Sequence, residues 1–267
     1  MKIEEGFLEY EEEHYQHLLK REHEFQLSYY HDTNQDITVR ARCFMLEWMN
    51  DILRVFHLTP EIFHLAVYIM DKSFGLIEMT KTNYQLVLVV SMFIAGKYNN
   101  DDELPIASKE YVKISKNQYS KEEMLEMEIY ILNAIDYRLE VPTSYMFTTS
   151  HLKELSIDEE ERVAIEIVEK CVLWNLNYVK YKSSLISLCA IYLVKKALKL
   201  EELKLFKNYS SQESNECLLF VNSACMWIKG LYSKEECLVS SLYKLYKNSF
   251  INVLDSIEKL KLEIINF

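Results

Sequence analysis

Two long apolar segments without a charged residue constrain this sequence more than any other feature. The first is Thr82–Gly96 and the second is Ser183–Val194, so the segments begin 101 residues apart. A helix that is apolar on every side must be surrounded by other helices. Both segments are shorter than the roughly 20 residues that a membrane-spanning helix requires. We therefore predict two buried helices, one in each half of the chain, and no association with a membrane.

The residues around these segments repeat one helical design. Amphipathic stretches with apolar residues every three or four positions flank each segment, and Val141–Thr143 interrupts the pattern near the midpoint. The chain has only 4 glycines and 3 prolines among 267 residues, too few for the many tight turns of β-sandwiches and barrels. We predict an all-α fold with two tandem five-helix units at residues 34–140 and 141–250, a preceding helix within 1–33 and a final helix within 251–267.

The charge balance and the cysteines indicate the surroundings of the protein. The chain has 41 acidic and 30 basic residues, a formal net charge of −11, and this disfavours nucleic acid as a partner because phosphate contacts need clustered Lys and Arg. The N-terminal residues lack the pattern of a signal peptide. Six cysteines without a CxxC pair predict reduced thiols in an intracellular protein.

Motifs typical of catalysis or metal binding are missing from the sequence. It contains no GxSxG, HExxH or kinase-type catalytic loop, and its four scattered glycines form no phosphate-binding loop. His14 and His17 have helical spacing but no third ligand nearby, so we expect no metal site and no cofactor. A helical chain of this kind is more typical of a binding module than of an enzyme.

Two charged residues do not fit a purely structural core. Glu128 lies on or beside an apolar stripe that includes Met124, Ile131 and Ile135, and Lys97 is the first charge after the first apolar segment. A carboxylate that is buried without a partner costs several kcal/mol. By spacing alone, either a local ion pair or a binding site explains both residues.

The first half of the chain resembles the cyclin box in four segments, which follow one another in the order of its helices. They are ARCFMLEWMNDI (41–52), EIFHLAVYIMDKSF (61–74), NYQLVLVVSMFIAGKY (83–98) and EEMLEMEIYILNAIDYRLEVPTSYMF (122–147). In the second half, VKYKSSLISLCAIYLVKKAL (179–198) and LYSKEECLVSSLYKLY (231–246) resemble the carboxy-terminal cyclin fold. The similarity is greatest to the mitotic A- and B-type cyclins, and it implies two tandem cyclin folds over about residues 5–250.

This resemblance implies a protein without catalytic activity that binds and activates a cyclin-dependent protein kinase. Lys97 matches the lysine of the family's ASK motif, here AGK, and Glu128 matches the glutamate of its RME motif, here EME. In cyclins this pair engages backbone near the regulatory helix of the kinase, which favours the binding site over the local ion pair. The other kinase-contacting positions implied by the resemblance are Ile94, Tyr98, Lys121 and Tyr137 and, on the leading helix, Tyr10, His14 and His17.

The resemblance also implies a shallow apolar groove that docks Arg-x-Leu peptides of substrates and inhibitors. Its chemistry requires an apolar slot for Leu, a carboxylate for Arg and an amide for the peptide backbone. Three residues depart from the family, with Ala, Phe and Met in place of Met, Ile and Leu, and this predicts a reshaped groove. The matching residues are Ala41, Phe44, Met45, Trp48, Asp51 and Gln85.

Two other functions stay open on the sequence alone. One is a cyclin-fold protein of transcription, either a transcription-associated cyclin or a factor resembling transcription factor IIB, although DNA binding would need a basic face. The other is a helical scaffold without kinase binding. A cell-cycle cyclin is expected in both nucleus and cytoplasm, and without a basic import signal it would enter the nucleus with a partner or by diffusion.

Overall fold

Every regular element in the described part of the chain is helical. The computed structural model describes residues 2–27, 38–80, 83–99, 112–115, 118–155, 157–199, 206–234 and 239–260, and these residues contain no strand. The all-α prediction is therefore confirmed. None of the described helices combines the length and apolarity that crossing a bilayer demands. In chain order the α-helices are α1 (Lys2–Arg21), α2 (Val39–Phe56), α3 (Pro60–Leu76), α4 (Tyr84–Tyr98), α5 (Lys121–Ala134), α6 (Ser144–Glu154), α7 (Glu159–Trp174), α8 (Ser183–Ala197), α9 (Ser211–Ser233), α10 (Ser240–Tyr246) and α11 (Asn248–Glu258).

The chain divides into two compact units. One, the N-unit, consists of Leu27–Val141 and Cys237–Ser241. The other, the C-unit, consists of Met1–Gln26, Pro142–Glu236 and Leu242–Phe267. Each unit contains one of the two charge-free helices.

The centre of the N-unit is α4, which contains most of the first charge-free segment. Every residue from Leu86 to Ala95 is buried, and α4 packs against α2, α3 and α5. The buried guanidinium of Arg42 on α2 donates two hydrogen bonds, of 2.9 and 2.7 Å, to the carboxylate of Asp71 on α3. Removing either partner of such a pair leaves a buried charge, at a cost of about 3–5 kcal/mol.

The centre of the C-unit is α8, which contains the second charge-free segment. It packs against α6, α7, α9 and α11. Polar groups in this core have partners, since the Thr148 hydroxyl donates to Glu169 Oε1 at 2.8 Å and lies 2.7 Å from the Ser187 hydroxyl. Both predicted buried helices are therefore present.

The first helix belongs to the C-unit. The Tyr15 ring on α1 contacts the rings of Phe147 and His151, with centroids 5.8 and 5.0 Å away. After α1, the Glu22 carboxylate accepts hydrogen bonds from the backbone N–H and the hydroxyl of Ser184. These contacts explain why a helix that precedes the first repeat packs with the second.

Candidate partner-binding site

Lys97 and Glu128 form an ion pair at one edge of the N-unit core. Lys97 lies in the last turn of α4 and Glu128 near the middle of α5, and the two helices pack together. Lys97 Nζ donates to Glu128 Oε1 at 2.6 Å, and it also lies 4.9 Å from the centroid of the Phe93 ring. The lysine side chain is 49% exposed and the glutamate side chain 9%. Residues that are 31 positions apart thus meet, with the lysine accessible from solvent and the carboxylate held against the core.

The helix that carries Glu128 has two different apolar faces. Met124 and Ile131 are buried against the core. Leu125 and Ile129, which are one turn apart on another face, are 37% and 58% exposed. Glu128 therefore lies between a buried stripe and an exposed apolar stripe, the arrangement expected where a partner covers the second stripe.

Local backbone features define the start and the end of α5. The Ser120 hydroxyl accepts from the backbone N–H of Glu123, whose carboxylate accepts from the backbone N–H of Ser120, so a capping box starts the helix at the predicted residue. After the helix, Asp136 and Tyr137 have φ angles of 54° and 55°. Non-glycine residues rarely adopt this left-handed conformation. The Tyr137 N–H donates to the Leu132 carbonyl at 2.8 Å, and the Tyr137 side chain is 61% exposed.

The other residues predicted to contact a kinase lie in different environments. Tyr98 is 45% exposed, and Lys121 is exposed in the first turn of α5. Ile94 is only 2% exposed, because every residue of α4 from Leu86 to Ala95 is buried. Its contact with a kinase stays a prediction. His14 and His17 are exposed on α1 of the C-unit, and Tyr10 is on the same helix but its side chain lies outside the described residues.

A partly open pocket of about 540 Å³ lies beside α2 in the N-unit. Five of the six predicted groove residues line it, and they come from α2 and from the first turn of α4. Phe44 is 42% exposed, whereas Met45 is 4% exposed and forms part of the pocket wall. The lining residues are Ala41, Phe44, Met45, Trp48, Tyr84, Gln85, Leu88, Ile114, Ser115 and Gln118.

Asp51, the sixth predicted groove residue, does not line the pocket. It lies one turn beyond Trp48 on α2, where its carboxylate accepts a hydrogen bond of 3.3 Å from the Arg54 guanidinium. The side chains of Asp51 and Arg54 are 33% and 40% exposed. The predicted carboxylate thus stands at one end of the pocket with a cation already beside it.

Residues 13–140 match the family description "Cyclin, N-terminal domain". The chain is similar to the cyclin family. G2/mitotic-specific cyclin-B of Marthasterias glacialis is 28% identical over 241 residues, which cover 90% of this chain and 61% of that protein. Cyclin-A1 of Homo sapiens is 29% identical over 222 residues, covering 81% of this chain and 47% of that protein. This chain therefore spans less than two thirds of the length of either relative, and its resemblance to A- and B-type cyclins is confirmed.

Solved structures agree with the cyclin assignment at the level of the fold. The X-ray structure of a viral cyclin from herpesvirus saimiri has a TM-score of 0.64 and 17% identity, covering 92% of this chain and 96% of that chain. A chain of the yeast RNA Pol II CTD kinase CTDK-1 complex has a TM-score of 0.53 and 13% identity, covering 78% and 70%. The predicted cyclin fold is therefore confirmed.

Sequence reasoning missed several residues at both sites of this chain. Leu125 and Ile129 have a spacing of four residues on α5, away from its core stripe, and this second apolar stripe was a detectable signal. Ile114 and Gln118, in contrast, reach the pocket only because the chain returns to α2 after α4. Local sequence carries no signal for such a return. Within the described residues, no group of three or more potential metal ligands comes together.

Proposed function

We propose that this protein is the regulatory subunit of a cyclin-dependent protein kinase and acts in the cell cycle. The observation that carries the proposal is the ion pair between half-exposed Lys97 and largely buried Glu128. The exposed stripe of Leu125 and Ile129 lies on the same helix as Glu128. An accessible ion pair next to exposed apolar side chains suits a partner that buries apolar surface and accepts hydrogen bonds from the lysine. The relatives named G2/mitotic-specific cyclins support the same proposal.

The mechanism we propose is a shift in the population of kinase conformations. The N-unit offers a rigid surface because α4 and α5 are fixed against the core. If this surface binds the active conformation of the kinase more tightly than the inactive one, it shifts the equilibrium towards the active conformation. The shift can be no larger than the ratio of the two affinities. Phosphoryl transfer and the bound Mg²⁺ belong to the kinase, so the cyclin itself has no catalytic residue.

The pocket beside α2 is proposed as a docking site for Arg-x-Leu peptides of substrates and inhibitors. Trp48, Met45 and Leu88 offer apolar surface for the leucine, and the Gln85 amide is available to the peptide backbone. Asp51, at the end of the pocket, would attract the arginine. Docking of this kind would raise the local concentration of substrate at the bound kinase.

The experiment that tests kinase activation uses the whole chain and a panel of purified cyclin-dependent kinases. We expect one kinase to co-purify and to gain activity on a histone peptide. Lys97→Glu should abolish both effects while circular dichroism shows that the helices are retained. Lys207→Glu, which changes an exposed lysine of the C-unit, is the matched control and should retain both.

Two results would contradict this proposal. If no kinase of the panel binds, a helical scaffold without kinase binding explains the fold better. If the bound kinase phosphorylates polymerase C-terminal repeats but not the histone peptide, a transcription-associated cyclin replaces the cell-cycle assignment. Residence in both nucleus and cytoplasm belongs to the same proposal, and imaging of the tagged chain tests it.

A further inference from the structure

We propose that Arg40 makes the α2 pocket select docking peptides that carry an acidic residue beyond the leucine. The inference rests on the docking function proposed above and adds a specificity determinant to it. The occupant is an extended peptide with a basic residue, an apolar anchor and an acidic residue, in that order.

Arg40 holds a positive charge at the rim of the pocket. It is exposed in the first turn of α2, and its guanidinium lies 5.8 Å from the centroid of the Phe44 ring, which itself lines the pocket. An arginine over an aromatic ring is held by a cation–π interaction, so less side-chain entropy remains to be lost when a ligand binds. Within the described ranges, Arg40 has no carboxylate within ion-pair distance.

The pocket itself is uncharged. All ten lining residues are apolar or neutral polar, and Met45, Trp48 and Leu88 provide apolar surface for a leucine. The pocket therefore selects for an apolar anchor but not for a charge. Any charge selectivity must come from the groups at its two ends.

The two ends of the pocket carry different charges. Arg40 and Asp51 are on the same helix on either side of the lining residues of α2, and Arg54 lies beside Asp51. Because Arg54 partly neutralises Asp51, the basic residue of a peptide gains less there than it would from a lone carboxylate. The Arg40 end has no such compensation among the described residues, so it attracts an acidic residue.

The helix geometry sets the spacing of the peptide. Positions 40 and 51 are about 16 Å apart along the axis of α2, at 1.5 Å per residue. An extended peptide advances about 3.3 Å per residue and covers this distance in about five residues. The selected sequence is therefore Arg-x-Leu-x-x-Glu, or Asp in the last position.

The test measures binding of fluorescein-labelled peptides to the whole chain by fluorescence polarisation. Three peptides differ only in the last residue of Arg-x-Leu-x-x-Glu, which is Glu, Gln or Lys. We expect the Glu peptide to bind about threefold more tightly than the Gln peptide and about tenfold more tightly than the Lys peptide, with smaller ratios at high salt. Arg40→Glu should invert the order of the Glu and Lys peptides. Lys207→Glu, which makes the same charge change on the C-unit, is the matched control and should keep it.

The outcomes separate this inference from the docking function. If replacing the leucine by alanine changes no affinity, the pocket is not a docking site and the proposed function of the pocket fails. If binding depends on the leucine but the three peptides bind equally, or if Arg40→Glu leaves their order unchanged, docking stands and selection by Arg40 is wrong.

Discussion

The two helices that contain the charge-free segments each form an ion pair near their C-terminal end, and the two pairs differ in exposure. Near the end of α4, Lys97 bonds to Glu128 at 2.6 Å, and near the end of α8, Lys195 bonds to Glu161 at 2.7 Å. The lysine side chain is 49% exposed in the first pair and 14% exposed in the second. The lysine of the N-unit pair is therefore accessible from solvent, whereas the lysine of the C-unit pair is largely covered.

The surfaces of the two units differ in the same direction. Among the described residues, most exposed large apolar side chains belong to the N-unit, whereas the C-unit has Leu219 and Tyr243. The N-unit set includes Ile129 and Leu125 on the helix of Glu128. The two units therefore share a buried central helix but differ in how much apolar surface they expose. The helical pattern specifies the fold, and the exposed apolar side chains distinguish the proposed binding unit from the other unit.

Charge reversal at the two glutamates should have the largest and most different effects. Glu161→Lys would leave Lys195 beside a like charge in a covered site and remove the Glu161 half of the α7 capping box, so we expect a loss of about 3 kcal/mol in the free energy of unfolding. Glu128→Lys should instead reduce kinase activation at least about a hundredfold, which corresponds to about 2.7 kcal/mol. Urea denaturation and a kinase assay of both variants measure the two effects. A comparable loss of stability in both variants would make both pairs structural.

Glu169 should make the stability of the C-unit depend on pH. Burial raises the pKa of Glu169 from 4.5 to about 8, despite hydrogen bonds from Thr148 and Ser144. The folded state therefore keeps a proton that the unfolded state loses, and stability falls as pH rises from 4.5 to 8. Between pH 5 and 7, wild type should lose about 2 kcal/mol relative to Glu169→Gln.

Urea denaturation of wild type and Glu169→Gln at both pH values measures this difference. Lys170, whose pKa burial lowers to about 8, stays largely protonated up to pH 7 and does not contribute in this window. If the free energy of unfolding changed equally with pH in the two proteins, the pKa of Glu169 would not be raised in the folded state.

Two tryptophans offer a further comparison between the units. Trp174 is fully buried in the C-unit, and Trp174→Ala should cost about 3–5 kcal/mol in the free energy of unfolding. Trp48 is half-buried in the pocket wall, and Trp48→Ala should weaken Arg-x-Leu peptide binding about tenfold while kinase binding persists. Peptide titration and kinase capture measure these effects. If a folded Trp48→Ala protein bound the peptide with unchanged affinity, the proposal that the α2 pocket docks peptides would be wrong.

The smallest expected effect comes from single exposed apolar residues. Ile129 and Leu219 are 58% and 60% exposed, one in each unit. Replacing Ile129 by serine should weaken kinase binding about fivefold, because roughly 1 kcal/mol of apolar contact is lost, whereas Leu219→Ser should leave it unchanged. Surface plasmon resonance with the immobilised kinase compares the two variants. If the two variants bound the kinase with equal affinity, the exposed stripe of α5 would not be part of the kinase interface.

The helical framework was accessible from sequence because its signals are local. Two uncharged apolar segments predicted α4 and α8, and Ser120 with Glu123 predicted the start of α5. The proximity of Lys97 and Glu128 was expected only by resemblance, since no local rule links positions 31 residues apart. The burial of Ile94 could not be read from the resemblance, because alignment to a family conveys a position but not its exposure in this chain.

Side-chain periodicity and the scarcity of glycine and proline act at short range, so the all-α class and the fully apolar helix in each half can be inferred from the amino-acid sequence. Which charges lie at a surface depends on tertiary packing. Lys97 is half exposed and Lys195 covered, and Asp51 stands beside Arg54 while Arg40 stands over Phe44. Solvent exposure and electrostatic surroundings depend on how separate helices pack, and no single helix contains that information.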